Sequence, residues 1–243
     1  MKTPSLLFFF LLGLTGFCFV KKTGDIHPSK KLTIHFHHQV GNKDLVLGEP
    51  VVNILGDTIN IERFRYYVSN FSVKDNRGVI VKLPVEYFLI DEENLQSKSI
   101  SFTVPDISID EISFLLGVDS TRNVSGIQTG ALDPLHGMFW TWNSGYIMAK
   151  LEGSSEKVQS AGNRFTYHVG GFRTGMNTTR MIQLKTPAGM KSAEIHIKAD
   201  VNRWFKGNSE INITETPVCH SPGALAMKLA DNYSSMFSIY MIQ

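Results

Sequence analysis

The chain has 243 residues, of which 42% are hydrophobic and 19% are charged, so it is long enough to bury a substantial core. Its 24 basic and 22 acidic residues leave a formal net charge of +2. This balance argues against a nucleic-acid-binding surface or a polybasic membrane patch. No repeat of fixed period is present, which argues against solenoids and propellers.

The N-terminus, residues 1–20, is predicted to be a secretory signal. Residues 6–20 are almost wholly apolar and lie between Lys2 and Lys21, and such a run is too short to span a membrane comfortably. We therefore expect an exported protein, in the periplasm or associated with the outer membrane of a bacterium.

Two cysteines bear on this prediction. Cys18 offers an alternative, in which it is the acylated cysteine of a bacterial lipoprotein signal, although Phe17 is bulkier than such processing prefers. Cys219 is then the one cysteine left in the mature chain, so no intramolecular disulfide is expected. Its thiol is either buried and inert or reactive and metal-seeking.

Alternating side chains predict a first strand over residues 32–40. His38 shares a face with the apolar residues, whereas His35 and His37 lie on the opposite face. We expect His38 to point inward, where its ring nitrogens need partners. The outer histidines are typical of a solvated edge. In a later strand, His196 shares a face with Glu194 and is likewise expected to be exposed.

Short alternating segments separated by turn signals predict a mainly β fold. Residues 31–243 are expected to form a single domain, an antiparallel β-sandwich with a C-terminal helix and minor helical decoration. The helix is predicted to begin with Ser221 as N-cap and Pro222 in its first turn. Residues 61–73 mix two periods, which suggests a helical turn before a strand.

Residues 132–146 hold the densest aromatic run of the chain. Asp133, Pro134 and Gly137 mark a turn, and the following alternation predicts that Trp140 and Trp142 share one face of a strand. Buried aromatic residues often serve only to fill a core, and that interpretation remains open for both tryptophans.

No familiar catalytic constellation is present, so the chain is not predicted to be an enzyme. The residues that could carry chemistry are imidazoles from separate segments, with soft sulfur side chains elsewhere, a combination that suits copper. The candidate ligands are His38, His168, His220 and, behind them, His136.

Five motifs together resemble the MbnP-like family, named for a periplasmic protein associated with methanobactin, a bacterial copper-chelating compound. They are residues 36–41 (FHHQVG), 64–70 (FRYYVSN), 138–146 (MFWTWNSGY), 167–171 (YHVGG) and 220–223 (HSPG). The tryptophan motif is the most specific of them. Residues 230–233 (ADNY) resemble the corresponding residues of members from Bacteroidetes-type bacteria.

The resemblance implies an exported, β-rich, copper-associated protein. It also implies that copper is held by histidines and by a kynurenine made by oxidising a tryptophan, which would be Trp140 or Trp142 here. A di-haem enzyme of the peroxidase kind is the partner implied for that oxidation.

Two hypotheses follow. In the first, the chain is an exported copper-binding protein that holds copper through histidines beside an oxidisable tryptophan. In the second, it is a metal-free structural or interaction module, such as a surface lipoprotein, whose histidines and tryptophans only build the sandwich. Imidazoles that converge in the folded chain would favour the first hypothesis.

Overall fold

The computed structural model of the chain describes residues 28–141, 144–187, 190 and 192–240. The predicted signal and Cys18 therefore lie outside the described residues. The strands are β1 (Ser29–Val40), β2 (Lys43–Asp44), β3 (Pro50–Val52), β4 (Thr58–Asp75), β5 (Ile80–Lys82), β6 (Tyr87–Asp91), β7 (Ser99–Pro105), β8 (Ile109–Leu116), β9 (Phe139–Thr141), β10 (Gly145–Ser154), β11 (Arg164–Gly170), β12 (Arg180–Lys185), β13 (Glu194–Asp200), β14 (Val218–Cys219) and β15 (Phe237–Ile239). The helices are α1 (Ser120–Asn123), α2 (Asn202–Phe205) and α3 (Ala224–Tyr233), with 3-10 turns at Leu95–Lys98, Gly130–Leu132, Pro134–His136 and Ala161–Asn163.

Within the described residues, these strands form two sheets. The five-stranded sheet has the order β15-β13-β1-β2, and β7 also pairs with β1. The ten-stranded sheet has the order β12-β8-β4-β10-β11-β14, with β3, β5 and β6 on β4 and β9 on β10. The predicted mainly β, sandwich-like class with a C-terminal helix is confirmed. Its pairing is mixed rather than wholly antiparallel, because β1 runs parallel to β13 and β11 runs parallel to β14.

The long strand β4 is the centre of the larger sheet. The helical turn expected within residues 61–73 is wrong, because the whole segment belongs to strand β4. Its pairing register shifts between Ser69 and Ser72, around Asn70, whose φ is 51°. A bulge changes which face the following side chains occupy, so one strand can give a mixed period in the sequence.

The main core lies on the inner face of both sheets. Phe36 from β1 meets Phe114 from β8 and Phe237 from β15 edge to face, with ring centroids 6.0 and 6.3 Å apart. Such edge-to-face contacts are the preferred geometry of aromatic pairs. The two sheets are therefore joined by interlocking rings.

A second, smaller apolar cluster covers the other face of the larger sheet. Tyr66 belongs to the main core, whereas the next residue, Tyr67, belongs to the second cluster together with Met138 and Tyr146. Successive strand residues point to opposite faces, so this cluster lies outside the sandwich. Trp140 packs against it.

Helix α3 begins later than predicted. Its N-cap is Gly223 rather than Ser221, and no side chain caps it. Leu229, Ala230 and Tyr233 bury their side chains in the main core, so packing stabilises this helix without a cap. No helix in the described part of the chain is both long and apolar enough to cross a membrane.

Candidate functional site

Two of the predicted ligands, His168 and His220, lie side by side on the outer face of the larger sheet. Phe165, Tyr167 and Val169 of β11 point into the main core, so His168 points outward. Strand β14 pairs in parallel with β11, with Tyr167 opposite Cys219. The next residue, His220, therefore comes beside His168, and the two rings stack with centroids 4.4 Å apart and planes 28° apart.

The neighbouring Cys219 points the other way. It is buried in the main core, and burial raises the pKa of its thiol to about 11. A protonated thiol is neither a good nucleophile nor a good metal ligand. Of the two alternatives for this cysteine, the buried and inert one fits the structure.

Glu152 on β10 fixes the orientation of His168. Its Oε1 lies 2.6 Å from Nε2 of His168, and its Oε2 accepts a hydrogen bond of 3.0 Å from Arg63. The hydrogen bond with His168 is the main reason why the pKa of Glu152 falls to about 2, although burial opposes the shift. An ionised carboxylate can only accept. The Nε2 of His168 therefore carries the proton, and in the neutral ring Nδ1 keeps a free lone pair.

His220 is suited to binding a cation at neutral pH. Desolvation of its ring is the largest cause that lowers its pKa below the ordinary value, and repulsion from His168 lowers it further. A neutral imidazole is the form that coordinates metals. No hydrogen bond to either ring nitrogen of His220 is found within the described residues, so both nitrogens remain available.

Trp140 lies against the same strand as His168. A Cβ atom built on Gly170, two residues after His168, would lie 2.8 Å from Cζ3 of Trp140 and 2.6 Å from the Tyr146 carbonyl oxygen. These distances are too short for any side chain. Glycine at this position is thus what lets the indole approach β11.

A cavity of about 240 Å³ opens beside this glycine pair. A Cβ on Gly171 would lie 3.2 Å from Cβ of Pro222, two residues after His220. The cavity is lined by Ser144, Gly171, Phe172, Arg173, Met176 and Pro222. The glycine pair therefore joins the indole, the His220 segment and a small cavity in one region.

His38 points inward as predicted but does not lie with this pair. Its Nδ1 is 2.5 Å from Oε2 of Glu92, and its Nε2 is 2.9 Å from the Tyr66 hydroxyl. Burial is the main cause that lowers its pKa, against the influence of Glu92, so the ring is neutral. The carboxylate can only accept, so Nδ1 donates to Glu92 and Nε2 accepts from Tyr66. Both nitrogens are occupied inside the protein.

His136 is held in a different way. It ends the 3-10 turn Pro134–His136, and its Nε2 donates to the Gly130 carbonyl oxygen over 3.0 Å. No ring contact joins it to His168 or His220 in the part of the chain that the structure describes. Trp142 lies outside the described residues. The prediction that Trp140 and Trp142 share one face of a strand therefore stays a prediction.

The comparisons with known proteins bear on these residues. A sequence model of the MbnP family matches residues 29–221, which include β1, the tryptophan motif, His168 and His220. The chain belongs to the MbnP family. The solved structure of MbnP from Methylosinus trichosporium is similar to it, with a TM-score of 0.63 and 14% sequence identity, covering 87% of this chain and 98% of that one. At this identity the likeness shows the fold. A comparison with curated protein sequences finds no match.

MbnP membership, which carries an association with copper, agrees with the resemblance seen in the motifs. The structure adds a group that the sequence interpretation missed, on the other sheet. Ligand atoms of His35, Glu194 and His196 lie within 4.8 Å of one another, and His196 is partly buried rather than exposed. The pairing of His35 with His196 across β1 and β13 brings this group together. The alternation of both segments placed these side chains on outer faces, but nothing local indicated that the two strands are neighbours.

Proposed function

We propose that this member of the MbnP family is an exported copper-binding protein, in which His168 and His220 bind copper beside Trp140. The observation that carries the proposal is the stacked pair of imidazoles, contributed by two strands that meet only in the folded chain. Membership of a copper-associated family supports the choice of metal. Copper accepts imidazole ligands readily, and Cu(I) tolerates few of them.

The donor set fits such an ion. His168 presents Nδ1, because its Nε2 is hydrogen-bonded to Glu152. A carboxylate on the far nitrogen fixes the tautomer of a ligating histidine and increases its basicity. Arg63 in turn holds the carboxylate. The chain thus supplies two imidazoles and a supporting network for one of them.

Trp140 is the described candidate for the oxidisable tryptophan. Its indole lies close to Gly170, between the aromatic cluster and β11, and it is only partly buried, so an oxidant could reach it. We propose that a di-haem enzyme of the peroxidase kind converts Trp140 or Trp142 to kynurenine. An oxidant of the peroxide or dioxygen class supplies two oxygen atoms that cleave the C2–C3 bond of the indole, and hydrolysis then releases C2 as formate. Intact mass and peptide mapping of protein from its native host would identify which tryptophan is modified, and two unmodified tryptophans in copper-loaded protein would contradict this step.

Copper titration tests the ligand assignment. Wild type, H168A, H220A and H136A are each titrated with Cu(I) against a chromophoric chelator. H168A and H220A should each weaken Cu(I) binding at least about tenfold. Removal of a residue that only supports a metal ligand already weakens binding by about 10–100-fold. H136A is the matched control, because the exposed ring of His136 bonds to no described group other than a backbone carbonyl, and this variant should bind like wild type. Equal affinity in all four proteins would refute the assignment.

The second candidate function is a metal-free structural or interaction module. The observation in its favour is that two of the four predicted ligands, His38 and His136, have internal hydrogen-bond partners. A wild-type protein that binds no Cu(I) in the titration would support this alternative.

We further propose that the chain is a binding protein rather than an enzyme, and that it works in the periplasm or at the outer membrane. The predicted signal over residues 1–20 supports export, and Cys18 offers a site for a lipid anchor. Mass spectrometry of the mature N-terminus distinguishes cleavage from acylation. An uncleaved chain in the cytoplasm would contradict export.

A further inference from the structure

The outer face of the five-stranded sheet carries a second histidine group, on a different sheet from His168 and His220. In the parallel pair of β1 and β13, His35 lies directly opposite His196, and His37 lies opposite Lys198. Glu194 is two residues before His196 and so shares its face. The rings of His35 and His196 stack with centroids 4.7 Å apart and planes 13° apart.

Each of the two stacked histidines has its Nδ1 held by a neighbour. Nδ1 of His35 is 2.8 Å from the Ser99 hydroxyl, and Nδ1 of His196 is 2.9 Å from Nε2 of His37. These contacts leave the two Nε2 atoms for other partners. A hydrogen bond to one ring nitrogen is the usual way in which proteins orient the other nitrogen toward a metal.

The two Nε2 atoms lack satisfying partners. Nε2 of His35 is buried and has no hydrogen-bond partner among the described residues. Nε2 of His196 is 3.7 Å from Oε2 of Glu194, which is too long for a hydrogen bond. In a tetrahedral zinc site with bonds of about 2.0–2.1 Å, neighbouring ligand atoms are about 3.4 Å apart. The 3.7 Å separation is therefore close to that of two ligands on one ion.

We propose that His35, His196 and Glu194 form a second metal site, which binds a divalent first-row ion such as Zn²⁺ and leaves one coordination position open to water. In the bound state Nδ1 of His35 donates to Ser99 and Nδ1 of His196 donates to His37, so both Nε2 atoms coordinate. Two imidazoles and a carboxylate with an open position are a known zinc donor set.

Neighbouring strands complete this site. Glu194 is exposed, so it can move toward an ion at small cost. The side chain of Ser99 is supplied by β7, the other neighbour of β1, so three strands contribute to the group.

The test uses Zn²⁺ itself in a background that lacks the proposed copper ligands. The H168A/H220A protein is titrated with Zn²⁺ against a chromophoric chelator, and one equivalent should bind. Adding H196A should weaken that binding by more than about 100-fold, and adding S99A, which removes only a supporting hydrogen bond, should weaken it about tenfold. E194Q should also weaken it, and this change at an exposed side chain leaves the core untouched.

The results separate this site from the copper proposal. If H168A/H220A binds no Zn²⁺, or if H196A and E194Q keep the bound equivalent, the second site does not exist. Circular dichroism of each variant checks that the fold is retained, and E194Q decides the matter if H196A fails to fold. Failure of Cu(I) binding at His168 and His220 would leave this result unchanged, because the two sites share no residue.

Discussion

Replacing His38 with alanine removes a ring whose two nitrogens both have partners inside the protein. Its Nε2 accepts from the hydroxyl of Tyr66, a fully buried residue, and its Nδ1 donates to Glu92. The ring also packs edge-on against Phe64 at a centroid distance of 4.7 Å. The H38A variant therefore loses two hydrogen bonds and a packed side chain at once.

The size of the effect follows from these contacts. An orphaned buried hydroxyl costs about 1–3 kcal/mol, and the cavity left by the ring adds about 2 kcal/mol. Glu92 keeps a hydrogen bond of 2.8 Å from Lys98, so its charge is not stranded. We expect H38A to lower the free energy of unfolding by about 3–5 kcal/mol, which for a chain of this size lowers Tm by about 10 °C.

The loss of stability is measured by urea and thermal unfolding of wild type, H38A, Y66F and H38A/Y66F. Y66F removes the hydroxyl that H38A leaves orphaned, so the double variant should be less destabilised than the sum of the single variants by about 1 kcal/mol. Cu(I) affinity of H38A should equal that of wild type, since His38 is not one of the proposed ligands.

The pH dependence of the free energy of unfolding gives a second test of the role of His38. Burial lowers the pKa of His38 below its ordinary value of 6.5, so the unfolded chain takes up this proton more readily than the folded one. The stability it contributes is present above pH 6.5 and is lost as pH falls toward its lowered pKa. The difference between wild type and H38A should therefore shrink between pH 7 and pH 5. A variant that unfolds like wild type, or that loses Cu(I) as H168A should, would refute this account of His38.

Three further experiments have defined outcomes. G170A places a methyl group 2.6 Å from the Tyr146 carbonyl oxygen and 2.8 Å from Trp140. It should therefore lower the free energy of unfolding in urea by about 1–3 kcal/mol and weaken Cu(I) binding. An unchanged unfolding midpoint would show that the indole does not pack there. Burial raises the pKa of the Asp119 carboxyl, but the hydrogen bonds donated to this group outweigh burial and lower the pKa below its ordinary value. The stability that the carboxylate contributes is therefore present at pH 7 and is lost as pH falls through the lowered pKa. D119N should therefore destabilise the protein by about 1 kcal/mol at pH 7 and by less at pH 3, and equal losses would contradict this. Cys219, with its buried thiol and a pKa of about 11, should resist alkylation by iodoacetamide at pH 8 until urea unfolds the chain, and rapid labelling of folded protein would show that the thiol is accessible.

The family could be predicted from the sequence alone, because its five motifs are short runs that occur in a fixed order along the chain. Residues 29–221 match the family model, and they contain the first four motifs and the first two residues of the fifth. The folded chain then separated the candidate ligands. His168 and His220 meet through the register of β11 and β14, whereas His38 and His136 have partners of their own. No periodicity could have made that distinction, since all four are simply histidines near strand ends or turns.

Local alternation determined which side of a strand each residue occupies. The inward position of His38 and the outward positions of His35 and His37 were predicted from the sequence, because successive side chains on an extended backbone point to opposite faces. The start of α3 was misplaced, since buried apolar contacts rather than a capping side chain stabilise that helix.

Which strands become neighbours was decided only by the tertiary structure. The parallel pairing of β1 with β13 places His35 beside His196, and the parallel pairing of β11 with β14 places His220 beside His168. Parallel neighbours need a long connection between them, so no turn signal in the sequence announces the pair. Both candidate metal sites depend on such pairings, which the packing of the whole sandwich selects.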